Sequence, residues 1–305
     1  MRRIKLARFL MMISRMLPSR SPLRSVNGIQ KPIFVFGSGR NGSSLLNRML
    51  NQHPLLFAPT EQYFLGPTII KFHLYRHLIN WRDLVKVIAG ELDESSGSHT
   101  WETGHRPHLA NLFESEDKSL QFLIDQIYRT YGNSQKKGFQ YWVDTGAPNT
   151  QYAREIYQCF PDAHYFFLIR DGRDVVNSYI KGGAQHFDEL SQPKVATKHW
   201  ISSIKTYQWL KQRTAISIIR YEDLVGDPEK VLKDLCDEIK IDYFPEMLNY
   251  YLHEIPKGMH DEYFENVKRP VFNTSVGLWK AELDPKIITE IEPVIISYLE
   301  EFNYI

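Results

Sequence analysis

The chain has 305 residues, 43% hydrophobic and 24% charged, with a formal net charge of +1. That length and composition suit one substantial α/β core. The near-neutral balance argues against nucleic acid as the main partner, so a polyanion must be met by local charge. Cys159 and Cys236 lie far apart and outside any metal-ligand spacing, which argues against a disulfide framework or a zinc site and leaves both as small core or helix residues.

Residues 1–30 carry Arg2, Arg3, Lys5, Arg8, Arg15, Arg20 and Arg24 with no acid, around the apolar piece Phe9–Ile13. This piece is too short to span a bilayer and poorly flanked for a signal peptide. A poorly packed basic leader on a cytoplasmic protein is expected, with a transit peptide or a weak membrane-surface contact as alternatives. Residues 31–305 read as a single α/β domain. Its first strand, Ile33–Phe36, breaks into Gly37-Ser38-Gly39-Arg40-Asn41-Gly42 and restarts as a helix at Ser43-Ser44. Gly37 and Gly42 are spaced as in a P-loop, but Ser43 stands where a nucleoside-triphosphatase needs lysine. What remains is a turn whose glycines permit positive φ and whose N–H groups face an anion. Arg40 adds a planar donor fork, and Ser43 and Ser44 are placed to cap the helix and to donate to a bound oxygen. The predicted ligand is of phosphate or sulfate type; a plain glycine turn with a serine cap and a surface arginine is the alternative.

A short strand at Leu55–Ala58 precedes Thr60-Glu61. Residues 62–135 hold no clear strand and read as a mainly helical insertion that shapes an acceptor site, with an exposed loop at 91–98. Phe72, Tyr75, Trp81, Trp101 and Phe113 either stack on the acceptor or fill the core. His73 and His77 have helical spacing but no third ligand nearby, so a solvated or hydrogen-bonded pair is expected in place of a metal site. A helix at Leu120–Tyr131 leads to a strand at Tyr141–Asp144, and a second helix at Tyr152–Phe160 to a strand at Tyr165–Ile169. That strand ends at Arg170 and turns into another helix, with Asp171 as N-cap and Asp174 complementing the helix dipole. In a parallel sheet both turns emerge at the carboxyl edge, so Arg170 and Ser178, two turns into the helix, would approach one anion beside the first loop. A last strand is expected at Ala215–Ile219. The fold class is α/β, a P-loop-like parallel sheet flanked by helices.

Together these segments resemble the PAPS-dependent sulfotransferases, the tyrosylprotein and carbohydrate types in particular, where PAPS is 3′-phosphoadenosine 5′-phosphosulfate. Arg40-Asn41-Gly42-Ser43-Ser44 is similar to the family's Arg-Ser-Gly-Thr-Thr type loop for the 5′-phosphosulfate. Arg170, followed eight residues later by Ser178, resembles its 3′-phosphate signature. Tyr221-Glu222-Asp223-Leu224 resembles a segment whose tyrosine packs near the adenine, and Gly277-Leu278-Trp279-Lys280 resembles the C-terminal Gly-x-Trp-Arg/Lys piece. The resemblance implies in-line transfer of a sulfuryl group from PAPS to a hydroxyl or amine without a metal. It also points to Glu61, twenty-one residues after Arg40, as general base. The acceptor stays open among small molecules, carbohydrates and peptides. Many family members carry a lysine in the step after the third strand, where this chain reads Asp144-Thr145-Gly146-Ala147-Pro148. Arg40 and the loop N–H groups, Lys181 or Arg106 are candidates to replace it; the remaining alternative is reduced activity. Simpler readings exist for each residue: Glu61 as a capping carboxylate, Arg170 paired with Asp171 or Asp174, Ser178 bonded to its own backbone, Tyr221 as a core aromatic, and Lys280 as a solvated charge. For the whole chain, the alternatives are a non-catalytic nucleotide-binding relative and a P-loop kinase, the latter disfavoured by Ser43.

Overall fold

The structure, a computed structural model, describes residues 2–14, 17, 19, 21–95, 110–182, 188–255 and 262–305. In chain order the elements are α1 (Arg2–Ser14), β1 (Ile33–Phe36), α2 (Ser43–Leu50), β2 (Leu56–Phe57), α3 (Leu65–Tyr75), α4 (Trp81–Ser95), α5 (Leu120–Gln135), β3 (Tyr141–Asp144), α6 (Ala153–Cys159), β4 (His164–Ile169), α7 (Gly172–Gly182) and α8 (Pro193–Lys211). They continue with β5 (Ser217–Arg220), α9 (Tyr221–Gly226), α10 (Pro228–Ile239), α11 (Trp279–Glu282) and α12 (Pro285–Glu301). The strands form one parallel sheet in the order β2-β3-β1-β4-β5.

The apolar runs of β1 and β4 are long enough to be covered on both faces, and alternation along each strand divides them between two cores. Phe34, Phe36, Tyr165, Phe167 and Ile169 join the core covered by α3 to α8 and α12. Ile33, Val35, Phe166 and Leu168 join the one covered by α2, α9 and α10. The aromatic centre is tight: Phe34 stacks on Tyr165 at 5.7 Å and meets Trp142 edge-on at 5.5 Å.

This division fixes the site. After β1 the chain passes to α2 on one face; after the neighbouring β4 it passes to α7 on the other. Adjacent strands whose connections leave to opposite faces open a crevice at their carboxyl ends, where ligands bind in open α/β sheets.

Between β2 and β3 the described part of residues 62–135 holds helices joined by short turns and no strand. Some local expectations differ. The segment expected to be a poorly packed leader contains α1, which packs on α3; its Arg8 donates to Glu155 Oε1 at 2.6 Å and Oε2 at 3.0 Å. A buried carboxylate on α6 thus gives this basic stretch a fixed partner. The loop expected at 91–98 begins inside α4, where Glu91 is buried and paired with Lys71; residues 96–98 lie outside the described residues. Of the two histidines, His77 follows the helix and takes the hydrogen-bonded alternative, accepting from Arg76 Nε at 3.1 Å, while His73 is buried in α3. Among the aromatics, Phe72 and Trp81 are core, Trp81 donating to the Leu112 carbonyl at 2.7 Å; Trp101 lies outside the described residues. Cys159 and Cys236 are buried free thiols.

Candidate active site

The turn after β1 is shaped by its backbone. Gly39, Arg40 and Gly42 have φ of 71°, 54° and 95°, and Arg40 adopts this left-handed region although it carries a Cβ. Thr150 clamps Gly37: its Oγ1 accepts from the Gly37 N–H at 2.9 Å and donates to the Gly37 carbonyl at 2.8 Å. Buried Asn41 donates Nδ2 to the Leu168 carbonyl of β4 at 2.6 Å, so the turn is tied to the next strand. The serine caps do not form. Gly42 occupies the cap position of α2 with no side-chain hydrogen bond, which moves Ser43 and Ser44 into the first turn. There their N–H groups have no intrahelical acceptor.

The turn after β4 is shaped by side chains. Arg170 donates Nη1 to the Arg40 carbonyl at 3.1 Å and Nη2 to the Ser275 carbonyl at 2.6 Å. Its guanidinium lies 4.5 Å from the Tyr221 ring centroid, and its buried Nε has no partner. Of the two neighbouring acids only Asp174 comes within ion-pair range, at its outer edge. Asp171 faces Arg173 at 2.8 Å and caps α7 by accepting the Arg173 N–H, also at 2.8 Å. Asp174 stands 3.9 Å from Arg170 and accepts, at closer range, the N–H groups of Gly277 at 2.7 Å and Trp279 at 2.9 Å. Burial pushes the Asp174 pKa up, against those two hydrogen bonds and the charge of Arg170. Ser178 accepts from Arg40 Nε at 2.9 Å, not from its own backbone. The Tyr221 hydroxyl pairs with Ser275 Oγ at 2.5 Å, and its ring is packed so closely on Gly42 that a methyl there would sit 2.5 Å away. Arg40, Gly42, Arg170, Ser178 and Tyr221 therefore meet in one cluster. Lys280 is exposed on α11, its ammonium 5.8 Å from the Trp279 ring centroid, and is tied to the cluster through the backbone that Asp174 holds.

Glu61 is not a helix cap, since α3 starts at Leu65. Its Oε1 accepts the Ala147 N–H at 2.7 Å in the turn after β3. Ala147 in turn borders the first loop, because a Cβ built on Gly39 would lie 3.4 Å from its methyl. Glu61 is half-buried with its carboxyl end enclosed. Desolvation raises its pKa to about 7, opposed by the Ala147 hydrogen bond and assisted by the Asp144 charge. Asp144 itself is locked by Tyr128 at 2.5 Å, Asn149 at 2.9 Å and the Gly146 N–H at 2.9 Å.

Residues 32–246 match the model of the Sulfotransferase family. The chain belongs to that family. Solved structures with the same fold include the "Sulfotransferase Domain from the Curacin Biosynthetic Pathway", with a TM-score of 0.60 and 20% identity over 87% of this chain and 98% of that one. The "Sulfotransferase Domain from the Synechococcus PCC 7002 Olefin Synthase" has a TM-score of 0.56 and 20% identity over 90% of this chain and 95% of that one. At these identities the likeness speaks for the fold. An uncharacterized protein of Aquifex aeolicus (strain VF5) is 21% identical over 271 residues, 82% of this chain but 30% of that protein's length. The chain thus spans under a third of that relative.

In this sulfotransferase-family chain no lysine follows Asp144; the Ala147 N–H is turned to Glu61. Lys181 is drawn to Glu282 at 2.6 Å, and Arg106 lies outside the described residues. Thr150, Tyr179, Asp174 and Ser275 were missed from sequence. Tyr179 donates to the Ser38 carbonyl at 2.6 Å and so braces the same loop. Asp174 is legible in sequence as a dipole complement and a partner for Arg170, not as the acceptor for Gly277 and Trp279; the other three have no local signal, because each acts on a distant segment. Among the described residues there is no group of three or more His, Cys, Asp or Glu able to hold a metal, and no helix long and apolar enough to cross a membrane.

Proposed function

We propose that this chain transfers a sulfuryl group from PAPS to a hydroxyl or amine acceptor, in line, with Glu61 as general base and no metal. The observation that carries this reading is the meeting of the two turns: Arg170 donates to the Arg40 carbonyl while Arg40 donates to Ser178. The residues present fit a bis-phosphorylated nucleotide. A buried guanidinium Nε without a partner is a costly arrangement that an anionic oxygen relieves. The left-handed turn and the first N–H groups of α2 form a second anion seat beside it. When bound, PAPS supplies an activated sulfuryl group with a phosphate leaving group. Arg170 and Ser178 hold the 3′-phosphate, and Tyr221 flanks the adenine. Arg40, Gly42, Ser43, Ser44 and the backbone of Asn41 hold the phosphosulfate, with Lys280 adding charge at the rim.

With a pKa of about 7, Glu61 is partly ionised near neutrality and still basic enough to accept a proton. Ala147 holds Oε1, which leaves Oε2 to take the proton of the acceptor. In place of a lysine, Arg40 and the loop N–H groups provide the positive field on the developing charge. The helical segment 62–135 shapes the acceptor site. The test is transfer of labelled sulfate from PAPS into an acceptor panel of alcohols, sugars and tyrosyl peptides. Glu61→Gln should lower turnover about 10²–10⁴-fold while the affinity for adenosine 3′,5′-bisphosphate is kept. Wild-type turnover in Glu61→Gln would remove the base assignment. Tight nucleotide binding with no transfer to any acceptor would favour a non-catalytic relative.

A further inference from the structure

We infer that the outer face of α1 docks on an anionic lipid surface. This helix is held to the body of the protein by one side only, through buried Met11 and through Arg8, which is bonded to Glu155 and to the Gln151 carbonyl. Leu6, Phe9, Leu10 and Ile13 recur at three- and four-residue spacing, so they form a single stripe along a helix. Each keeps 41–60% of its surface exposed, and Met12 and Leu17 extend the same exposure. Scattered exposed apolar residues are ordinary; a contiguous stripe on an otherwise docked helix marks an interaction surface.

The charge around the stripe decides the partner. Residues 1–30 contain seven basic residues and no acidic one; of the two whose side chains are described, Arg8 pairs with Glu155 and Arg24 donates to the Gln158 carbonyl. An apolar stripe set in a basic, acid-free segment matches the interfacial helices that sink side chains below the headgroups while basic groups meet lipid phosphate. A second copy of the chain would bring two basic, acid-free segments together, which disfavours a symmetric pairing of these helices.

The experiment is flotation of the full chain with phosphatidylcholine vesicles and with vesicles containing one-quarter phosphatidylglycerol, at low and high salt. Binding is expected to the anionic vesicles, with a fall on raising salt. The double variant Phe9→Glu with Leu10→Glu should bind about tenfold more weakly. Both positions face solvent, so its thermal midpoint and its affinity for adenosine 3′,5′-bisphosphate should match the wild type, which separates loss of docking from loss of fold. If the midpoint does fall, the milder Leu6→Ser with Ile13→Ser takes its place as the test. Equal vesicle binding by wild type and folded variant would overturn the inference, as would a wild-type chain that stays with the buffer. A salt-stable dimer in sedimentation velocity that the variant abolishes, without vesicle binding, would assign the stripe to self-association and also overturn it.

Discussion

The turns after β1 and β4 are built from the same plan, a buried strand breaking into a helix at the carboxyl edge of the sheet, yet they reach it by opposite means. After β1 the backbone itself is bent, with three left-handed residues in four. After β4 the positive-φ set is absent, and side chains of Arg170, Asp171 and Asp174 set the shape through partners elsewhere in the chain. A backbone-built turn declares itself in a short glycine-rich run. A side-chain-built turn depends on residues that sequence order places far away.

The sharpest way to break the first turn is Gly42→Ala. The substitution places a Cβ at φ 95° and 2.5 Å from the Tyr221 ring, adding left-handed strain to overpacking. Together these should cost about 2–4 kcal/mol of stability, read as a lower denaturant midpoint. Because the ring it strikes belongs to the cluster around Arg170, affinity for adenosine 3′,5′-bisphosphate should fall as well. A variant that lost stability yet bound the nucleotide as before would mean that the two turns are not one site.

The second turn is tested by Arg170→Ala. Loss of charge-assisted hydrogen bonds should weaken adenosine 3′,5′-bisphosphate by about 1.5–3 kcal/mol, or roughly 10- to 150-fold, while adenosine 5′-monophosphate is scarcely affected. Isothermal titration of both ligands checks this, and equal losses would unseat the 3′-phosphate assignment. Asp174→Asn probes the same turn one step further out. An amide keeps one acceptor for the N–H groups of Gly277 and Trp279 but turns an NH₂ toward the other, a loss of about 1–2 kcal/mol. If residues 277–280 are held over the cluster by this carboxylate, hydrogen exchange at Gly277 and Trp279 should speed up while that at Gly37 is unchanged.

This contrast also explains what was legible in the sequence. β1 was read with its observed bounds and β4 to within one residue, because unbroken apolar runs between polar breaks have few other homes in an α/β chain. The positive-φ turn, Arg170 at a strand end and the Asp171 cap were equally local signals. The serine caps failed because a left-handed Gly42 already starts α2. β5 was displaced by two residues at its start, where an edge strand is weakly constrained by burial. Thr150 and Ser275 could not be read at all: they act across 113 and 105 residues, and nothing in their neighbourhood distinguishes them from ordinary polar residues. The docking of α1 was invisible for the same reason, since the partner of Arg8 lies 147 residues away.

Glu61 stands between these two modes, a side chain anchored by a backbone N–H, and its charge gives the smallest but most specific prediction. Its folded pKa of about 7 lies above its ordinary value of 4.5, so between those two values the folded protein binds more protons than the unfolded chain. Stability contributed by the neutral carboxyl is therefore present at low pH and is lost as pH rises through about 7. Because the side chain keeps part of its surface in solvent, screening reduces the effect to the order of 1 kcal/mol. Glu61→Gln removes that titration, so the variant should be more stable than wild type at pH 8 and equal to it near pH 4.5, measured by denaturant midpoints at both. The same ionisation should appear as an acid limb near pH 7 in kcat/KM of the wild type, since the base works only when deprotonated. A stability difference without that acid limb would keep Glu61 as a buried carboxylate and move the proton acceptor elsewhere.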